Sequence, residues 1–95
     1  MVNSIKCDRV RLEGRVQVVG MRAWFEREAR NRSLDGFVRN RRDGGVEAVI
    51  QGAISDVDAM LALCQNGPAS ARIDYVKVRD EIDRVPSGFR IAATV

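Results

Sequence analysis

The segment from Gly14 to Arg22, which reads GRVQVVGMR, contains residue types that bind anions. It joins a predicted strand to a predicted helix, where free backbone N–H groups and the positive end of the helix dipole favour an anion. Arg22 adds a planar guanidinium that matches phosphate oxygens two at a time. The segment lacks the Gly-Lys-Ser/Thr ending of a nucleotide P-loop and the glycine spacing of a dinucleotide site. The spacing therefore predicts a phosphate-binding loop and disfavours nucleotide binding.

The composition limits the chemistry that such a loop can support. The 95 residues include no histidine, which is the commonest general acid or base near neutral pH and the commonest metal ligand. Arginine supplies most of the positive charge, and the net charge at pH 7 is +3. Cys7 and Cys64 have neither metal-knuckle nor disulfide-framework spacing, so we expect two reduced, mostly buried thiols. Any chemistry must therefore run without histidine, and phosphate is the natural anionic ligand.

The first half of the chain predicts the elements that hold the loop. A strand is expected over about residues 6–13, ended by Gly14, and a helix over residues 21–31. Apolar residues recur every four positions along that helix, at Met21, Phe25 and Ala29. Strands over 36–40 and 46–50 flank an Asp43-Gly44 pair, which is typical of a hairpin turn because it tolerates positive φ.

The second half predicts one more helix and two more strands. Ser55 is a good N-cap for a helix that runs to the stop signal Asn66-Gly67-Pro68. Strands are expected over 73–78 and 89–92. The order β-α-β-β-α-β with an added terminal strand predicts an α+β, ferredoxin-like split βαβ sandwich. Its antiparallel sheet carries two helices on one face, and the whole chain, residues 1–95, forms one domain.

Two sequence blocks are similar to those of the acylphosphatase family. The first is Gly14-Arg15-Val16-Gln17-Val18-Val19-Gly20-Met21-Arg22, which resembles the family signature G-R-V-Q-G-V-G-F-R. The second is Gly36-Phe37-Val38-Arg39-Asn40 with Asp43-Gly44 and Val46-Glu47, which resembles G-[WFY]-V-[RK]-N-x-x-D-G-x-V-E. Residues 67–73 and 88–91 also fit, so the resemblance covers nearly the whole chain.

The resemblance implies an enzyme that hydrolyses the carboxyl-phosphate bond of small acylphosphates to a carboxylate and inorganic phosphate, without metal or cofactor. Arg22 takes the place of the family arginine that grips the phosphoryl oxygens. Asn40 takes the place of the asparagine that orients the attacking water. The implied phosphate-binding residues are Gly14, Arg15, Val16, Gln17, Val18, Val19, Gly20, Met21 and Arg22.

Val18 departs from the family signature, which has glycine at this position. If the position requires positive φ, a β-branched residue is an outlier there. If φ is negative, the N–H donors of the loop still point at the anion, and the valine only adds bulk near it. The alternative function is therefore a phosphate- or anion-binding module of the same fold that Val18 has disabled as a catalyst. Both readings remain open from the sequence.

Other partner classes are disfavoured. The five aromatic residues match no RNA-recognition pattern and the positive charge is mild, which argues against nucleic acid. No apolar run approaches the roughly 18 residues of a membrane span, and the first residues do not read as a secretory signal. We therefore expect a cytoplasmic monomer whose partners are a small acylphosphate and inorganic phosphate.

Overall fold

The structure is a computed structural model that describes residues 4–95. It contains five strands and two helices in the predicted order. Their bounds are β1 Ile5–Arg15, α1 Met21–Asn31, β2 Asp35–Asn40, β3 Val46–Ala53, α2 Ile54–Cys64, β4 Arg72–Asp80 and β5 Phe89–Ile91.

The strands form one sheet in the order β4-β1-β3-β2-β5. Strand β1 lies antiparallel between β4 and β3, and β2 lies antiparallel to β3, as the split βαβ prediction requires. The added strand β5 instead pairs parallel with β2, which places Ile91 opposite Val38. The predicted ferredoxin-like α+β fold is confirmed, and β5 makes its sheet mixed.

The core lies between the helices and one face of the sheet. Helix α1 buries Met21, Phe25 and Ala29, the residues predicted from their four-residue spacing. The Phe25 ring stacks on Phe89 of β5 at a centroid distance of 5.8 Å. Full burial of each large apolar side chain contributes about 1.5–3 kcal/mol. This packing anchors the start of α1, which follows the predicted phosphate loop, against the strands β2 and β5.

Two predicted boundaries were wrong. Strand β1 does not end at Gly14, because a β-bulge between Glu13 and Gly14 lets it continue to Arg15 beside β4. Gly14 has a φ of 130°, and a Cβ there would lie 2.2 Å from the Arg72 carbonyl oxygen, so glycine serves the close approach of two strands. Likewise, Ser55 is not the N-cap of α2. Strand β3 runs directly into that helix, which makes Ala53 the N-cap residue and leaves Ser55 inside the first turn.

Both cysteines are free thiols. Cys64 is buried, and this burial raises its pKa to about 12, which keeps the thiol protonated and unreactive. Cys7 is only partly buried. Neither helix in residues 4–95 has the length and apolarity needed to cross a bilayer.

Candidate active site

An open pocket of about 250 Å³ lies where the loop after β1, the start of α1 and the ends of β2 and β5 meet. Its lining residues are Val16, Val18, Gly20, Met21, Arg22, Ala23, Asn40 and Ile91. Arg22 and Asn40 are the two lining residues with polar side chains. The fold therefore brings the two predicted catalytic residues, which come from separate elements, into one pocket.

The loop over residues 16–20 presents its backbone to this pocket. Val18 has a φ of 52° and Gly20 a φ of 78°, so the chain turns twice through the left-handed region before α1 begins. Within residues 4–95, no backbone N–H group of residues 17–23 donates to a backbone carbonyl. Helix α1 has neither a side-chain cap nor an acidic residue in its first turn. The positive end of the helix and its free donors are thus available to an anion.

Gln17 holds the loop against the hairpin that carries Asn40. Its side-chain amide nitrogen donates to the Arg41 carbonyl oxygen at 2.7 Å and to the Gly45 carbonyl oxygen at 2.9 Å. These carbonyls belong to the turn between β2 and β3, directly after Asn40. Gln17 therefore sets the relative placement of the loop and Asn40.

A second contact holds the far end of the loop. The Ser70 hydroxyl donates to the Val19 carbonyl oxygen at 2.7 Å, and the Val19 side chain packs against the core. Together with the Gln17 bonds, this contact anchors the loop on both sides of Val18.

Asn40 is the last residue of β2, and its side-chain oxygen Oδ1 is buried. Among the described residues, this oxygen has no hydrogen-bond partner. Burying an unsatisfied acceptor costs about 1–3 kcal/mol, so such groups call for a functional explanation. An acceptor beside the pocket suits a hydrogen bond from a water molecule or a ligand hydroxyl.

Arg22 is partly buried at the start of α1. In the part of the chain that the structure describes, it forms no salt bridge, whereas Arg30 of the same helix and Arg32 directly after the helix each pair with a glutamate. Its guanidinium is therefore free to bind an anion in the pocket, with the fork geometry that matches phosphate oxygens.

The remaining predicted phosphate-binding residues divide into three groups. Val16, Val18, Gly20 and Met21 line the pocket with Arg22. Gly14 and Arg15 lie in β1 and pair with β4, because the bulge extends the strand and the loop begins only at Val16. Gln17 and Val19 engage neighbouring segments, as described above.

Sequence reasoning missed two lining residues, Ala23 and Ile91. Ala23 directly follows Arg22, so helix geometry alone places it near the pocket. Ile91 reaches the pocket because β5 pairs parallel with β2, which sets it beside Val38 and near Asn40. The match of residues 88–91 to the family pattern was the sequence feature that could have indicated Ile91. Its position at the pocket is decided by the pairing of two strands that are distant in the sequence.

A larger pocket of about 380 Å³ is lined by arginines on strands β1 and β4. Its residues Arg9 and Arg11 each form two salt bridges with carboxylates, so their charges are already compensated. This pocket therefore fits the predicted chemistry less well than the one at Arg22. Among residues 4–95, no group of three His, Cys, Asp or Glu side chains is arranged to hold a metal ion.

Comparisons with known proteins show the family of this chain. The sequence model of the acylphosphatase family matches residues 8–91. An acylphosphatase of Azorhizobium caulinodans is 51% identical over 87 residues, which cover 88% of this chain and 91% of that protein. The structure resembles an acylphosphatase from Coxiella burnetii, with a TM-score of 0.88, 27% identity and 93% coverage of both chains. It also resembles the acylphosphatase of Bacillus subtilis, with a TM-score of 0.86, 29% identity and coverage of 94% and 99%. This chain belongs to the acylphosphatase family.

Proposed function

We propose that this chain hydrolyses the carboxyl-phosphate bond of acylphosphates, with Arg22 and Asn40 as its catalytic residues. One observation carries the assignment of these residues: both line a single pocket beside a loop whose backbone N–H groups donate to no backbone carbonyl among residues 4–95. Membership of the acylphosphatase family supports the reaction class.

The loop and Arg22 bind the phosphoryl group. Phosphoryl transfer passes through a loose transition state whose charge is spread over the equatorial oxygens. Preorganised N–H donors at the start of α1 and the Arg22 guanidinium stabilise this charge, and such electrostatic stabilisation is usually the largest catalytic contribution. The proposed binding segment runs from Val16 to Arg22, and within it the side chains of Gln17 and Val19 fix the shape of the loop.

Asn40 orients the attacking water by accepting a hydrogen bond at Oδ1. The water oxygen forms a bond to phosphorus as the bond between phosphorus and the acyl oxygen breaks. The electron pair of that bond leaves with the carboxylate, and a phosphate oxygen accepts the proton of the water. A carboxylate is a good leaving group, so no general acid is required, which suits a chain without histidine.

The test compares the turnover of benzoyl phosphate by the wild type and by two arginine variants, in buffer with a metal chelator. Arg22→Ala should lower kcat on the order of 10²–10³-fold, because one preorganised donor to the transition state is lost. Arg27→Ala removes an exposed arginine of the same helix that does not line the pocket, and it should stay near the wild-type rate. Full turnover by Arg22→Ala would show that this residue has been wrongly assigned.

Asn40→Ala belongs in the same series because it separates activity from stability. It should lower kcat while leaving the melting temperature unchanged or higher, since it removes a buried acceptor that has no partner among the described residues. A loss of stability that accounts for the lost activity would point to a structural role instead.

The alternative of a non-catalytic anion-binding module makes a different prediction for the wild type. Phosphate would raise its melting temperature, but no benzoyl phosphate would be hydrolysed. If Val18→Gly then restored turnover, Val18 would be the cause of the inactivity.

The proposed setting is cytoplasmic and monomeric, without nucleic acid as a partner. The mild positive net charge, which arginine mostly supplies, supports a small anionic ligand. Gel filtration tests the monomer. A steeply salt-dependent affinity for oligonucleotides would contradict the exclusion of nucleic acid.

A further inference from the structure

The exposed part of the Arg22 pocket is apolar. Val18 is fully exposed, with a relative exposure of 102%, and Ile91 is 40% exposed. Ala23, also exposed, lines the same pocket. Exposed apolar residues that gather around a few convergent polar groups are typical of ligand sites.

Val18 carries two unfavourable features at once. Its φ of 52° places a β-branched residue in the left-handed region, which is sterically unfavourable. Its complete exposure means that no packing within the described residues offsets this cost. The other non-glycine residue with positive φ in residues 4–95, Ser33, is polar and lies after the end of α1. Strained residues of the Val18 kind cluster at ligand sites.

The chemistry of an acylphosphate explains an apolar surface at this place. If the phosphoryl group binds Arg22 and the loop donors, the acyl group extends toward the exposed part of the pocket. An apolar acyl group there removes Val18 and Ile91 from water, which favours binding in proportion to the apolar area covered. A strongly polar acyl group would lose its own hydration against the same side chains.

We propose that Val18 and Ile91 select acylphosphates whose acyl group is apolar, such as aryl or branched alkyl groups. The inference rests on the proposed function, because it places the acyl group relative to a phosphoryl group bound at Arg22. It gives the residue that departs from the family signature a role in substrate choice.

The test measures the ratio of kcat/KM for benzoyl phosphate to kcat/KM for acetyl phosphate. Val18→Thr keeps the branched shape and replaces one methyl group by a hydroxyl. Ile91→Thr, on β5, also keeps a branched side chain and replaces the ethyl group by a hydroxyl. Each variant should lower the ratio about three- to ten-fold, the effect of losing one or two methyl contacts at an open pocket. The ratio cancels any disturbance of the phosphoryl site, which both substrates share.

Ile82→Thr is the matched control, because Ile82 is 94% exposed and does not line the pocket. Its ratio should equal that of the wild type. An unchanged ratio in both Val18→Thr and Ile91→Thr would overturn the inference.

A binding measurement separates this inference from the proposed function. Calorimetry with phenylphosphonate and methylphosphonate, which cannot be hydrolysed, gives the ratio of the two dissociation constants for each variant. If the wild type prefers phenylphosphonate and both threonine variants lose that preference, the apolar selection stands even where turnover is absent, and only the proposed reaction fails. If the wild type binds both phosphonates equally, the inference fails even where turnover is present.

Discussion

At the scale of single residues, Val18 is the main departure from the family signature. The sequence left two conformations open for this residue, and the structure has the left-handed one, with a φ of 52°. The family signature has glycine here, which adopts such a φ without steric cost. Val18 nevertheless leaves the N–H groups of the loop without backbone partners among the described residues. The loop therefore keeps its N–H donors available to an anion with valine at position 18.

Val18→Gly should stabilise the protein by roughly 0.5–1 kcal/mol. Relief of the left-handed strain contributes about 1–2 kcal/mol, and the greater freedom of glycine in the unfolded chain removes about 0.5–1 kcal/mol. No burial is lost, because the Val18 side chain is fully exposed. Urea unfolding measures the difference. Ile82→Gly, at an exposed residue without positive φ, should instead lower the stability. Equal losses in the two variants would mean that Val18 is not strained.

At the scale of elements, the site depends on the contact between the loop and the β2–β3 hairpin. The predicted hairpin is confirmed, with Gly44 at a φ of 102° in its turn. Gln17 joins the two elements through bonds to the Arg41 and Gly45 carbonyl oxygens. Those oxygens also accept backbone bonds within the turn, so the hairpin keeps its own shape without Gln17. The Gln17 bonds therefore position Asn40 more than they stabilise the fold.

Gln17→Ala should lower kcat for benzoyl phosphate about ten-fold or more and cost only about 1 kcal/mol of stability. The activity falls because the loop and Asn40 lose their fixed geometry, and small misplacements of catalytic groups carry large rate penalties. The stability loss is small because the Arg41 and Gly45 carbonyl oxygens each keep a backbone hydrogen bond within the turn. Kinetics and urea unfolding of the same preparation measure the two effects. Gln65→Ala, at an exposed residue after α2, should change neither, and an unaffected kcat in Gln17→Ala would contradict the positioning role.

At the scale of the whole molecule, one carboxylate joins three parts of the sheet. Glu47 on β3 forms salt bridges with Arg9 of β1 at 3.0 Å, Arg39 of β2 at 2.7 Å and Arg41 of the turn at 2.9 Å. Burial alone would raise the Glu47 pKa, but hydrogen bonds from Arg39 and Arg9 outweigh it and lower the pKa below the ordinary value of 4.5. A hydrogen bond from Arg9 lowers the Glu81 pKa in the same way.

This network predicts a pH-dependent stability. A carboxylate whose pKa is lower in the folded state contributes stability that is present above its unfolded pKa and is lost as the pH falls through the folded value. Glu47→Gln should therefore cost on the order of 1–2 kcal/mol at neutral pH, and the difference from the wild type should shrink below about pH 4.5. Denaturant unfolding across this pH range measures it. Glu13→Gln, which removes one half-exposed ion pair, should cost much less. A Glu47→Gln deficit that persists at low pH would refute the electrostatic explanation.

The sequence predicted the features that depend on residues close together in the chain. The four-residue spacing of Met21, Phe25 and Ala29 predicted α1, and the Asp43-Gly44 pair predicted the hairpin turn, because both signals act over a few residues. The two sequence blocks predicted the acylphosphatase family and its enzymatic function, which the comparisons confirm. The roles of Arg22 and Asn40 remain predictions, although the fold brings both residues to one pocket.

Tertiary structure alone decided the features that depend on distant segments. The parallel pairing of β5 with β2 brings Ile91 to the pocket, and the approach of β4 to Gly14 carries β1 on to Arg15. The loop around Val18 is anchored at both ends, by the Gln17 bonds and the Ser70 bond, and the partners in these bonds lie far away in the sequence. The sequence by itself determined the elements and the reactive groups, since local periodicity and residue chemistry encode them. Packing between remote segments determined how those groups converge, because those contacts form only when the chain is folded.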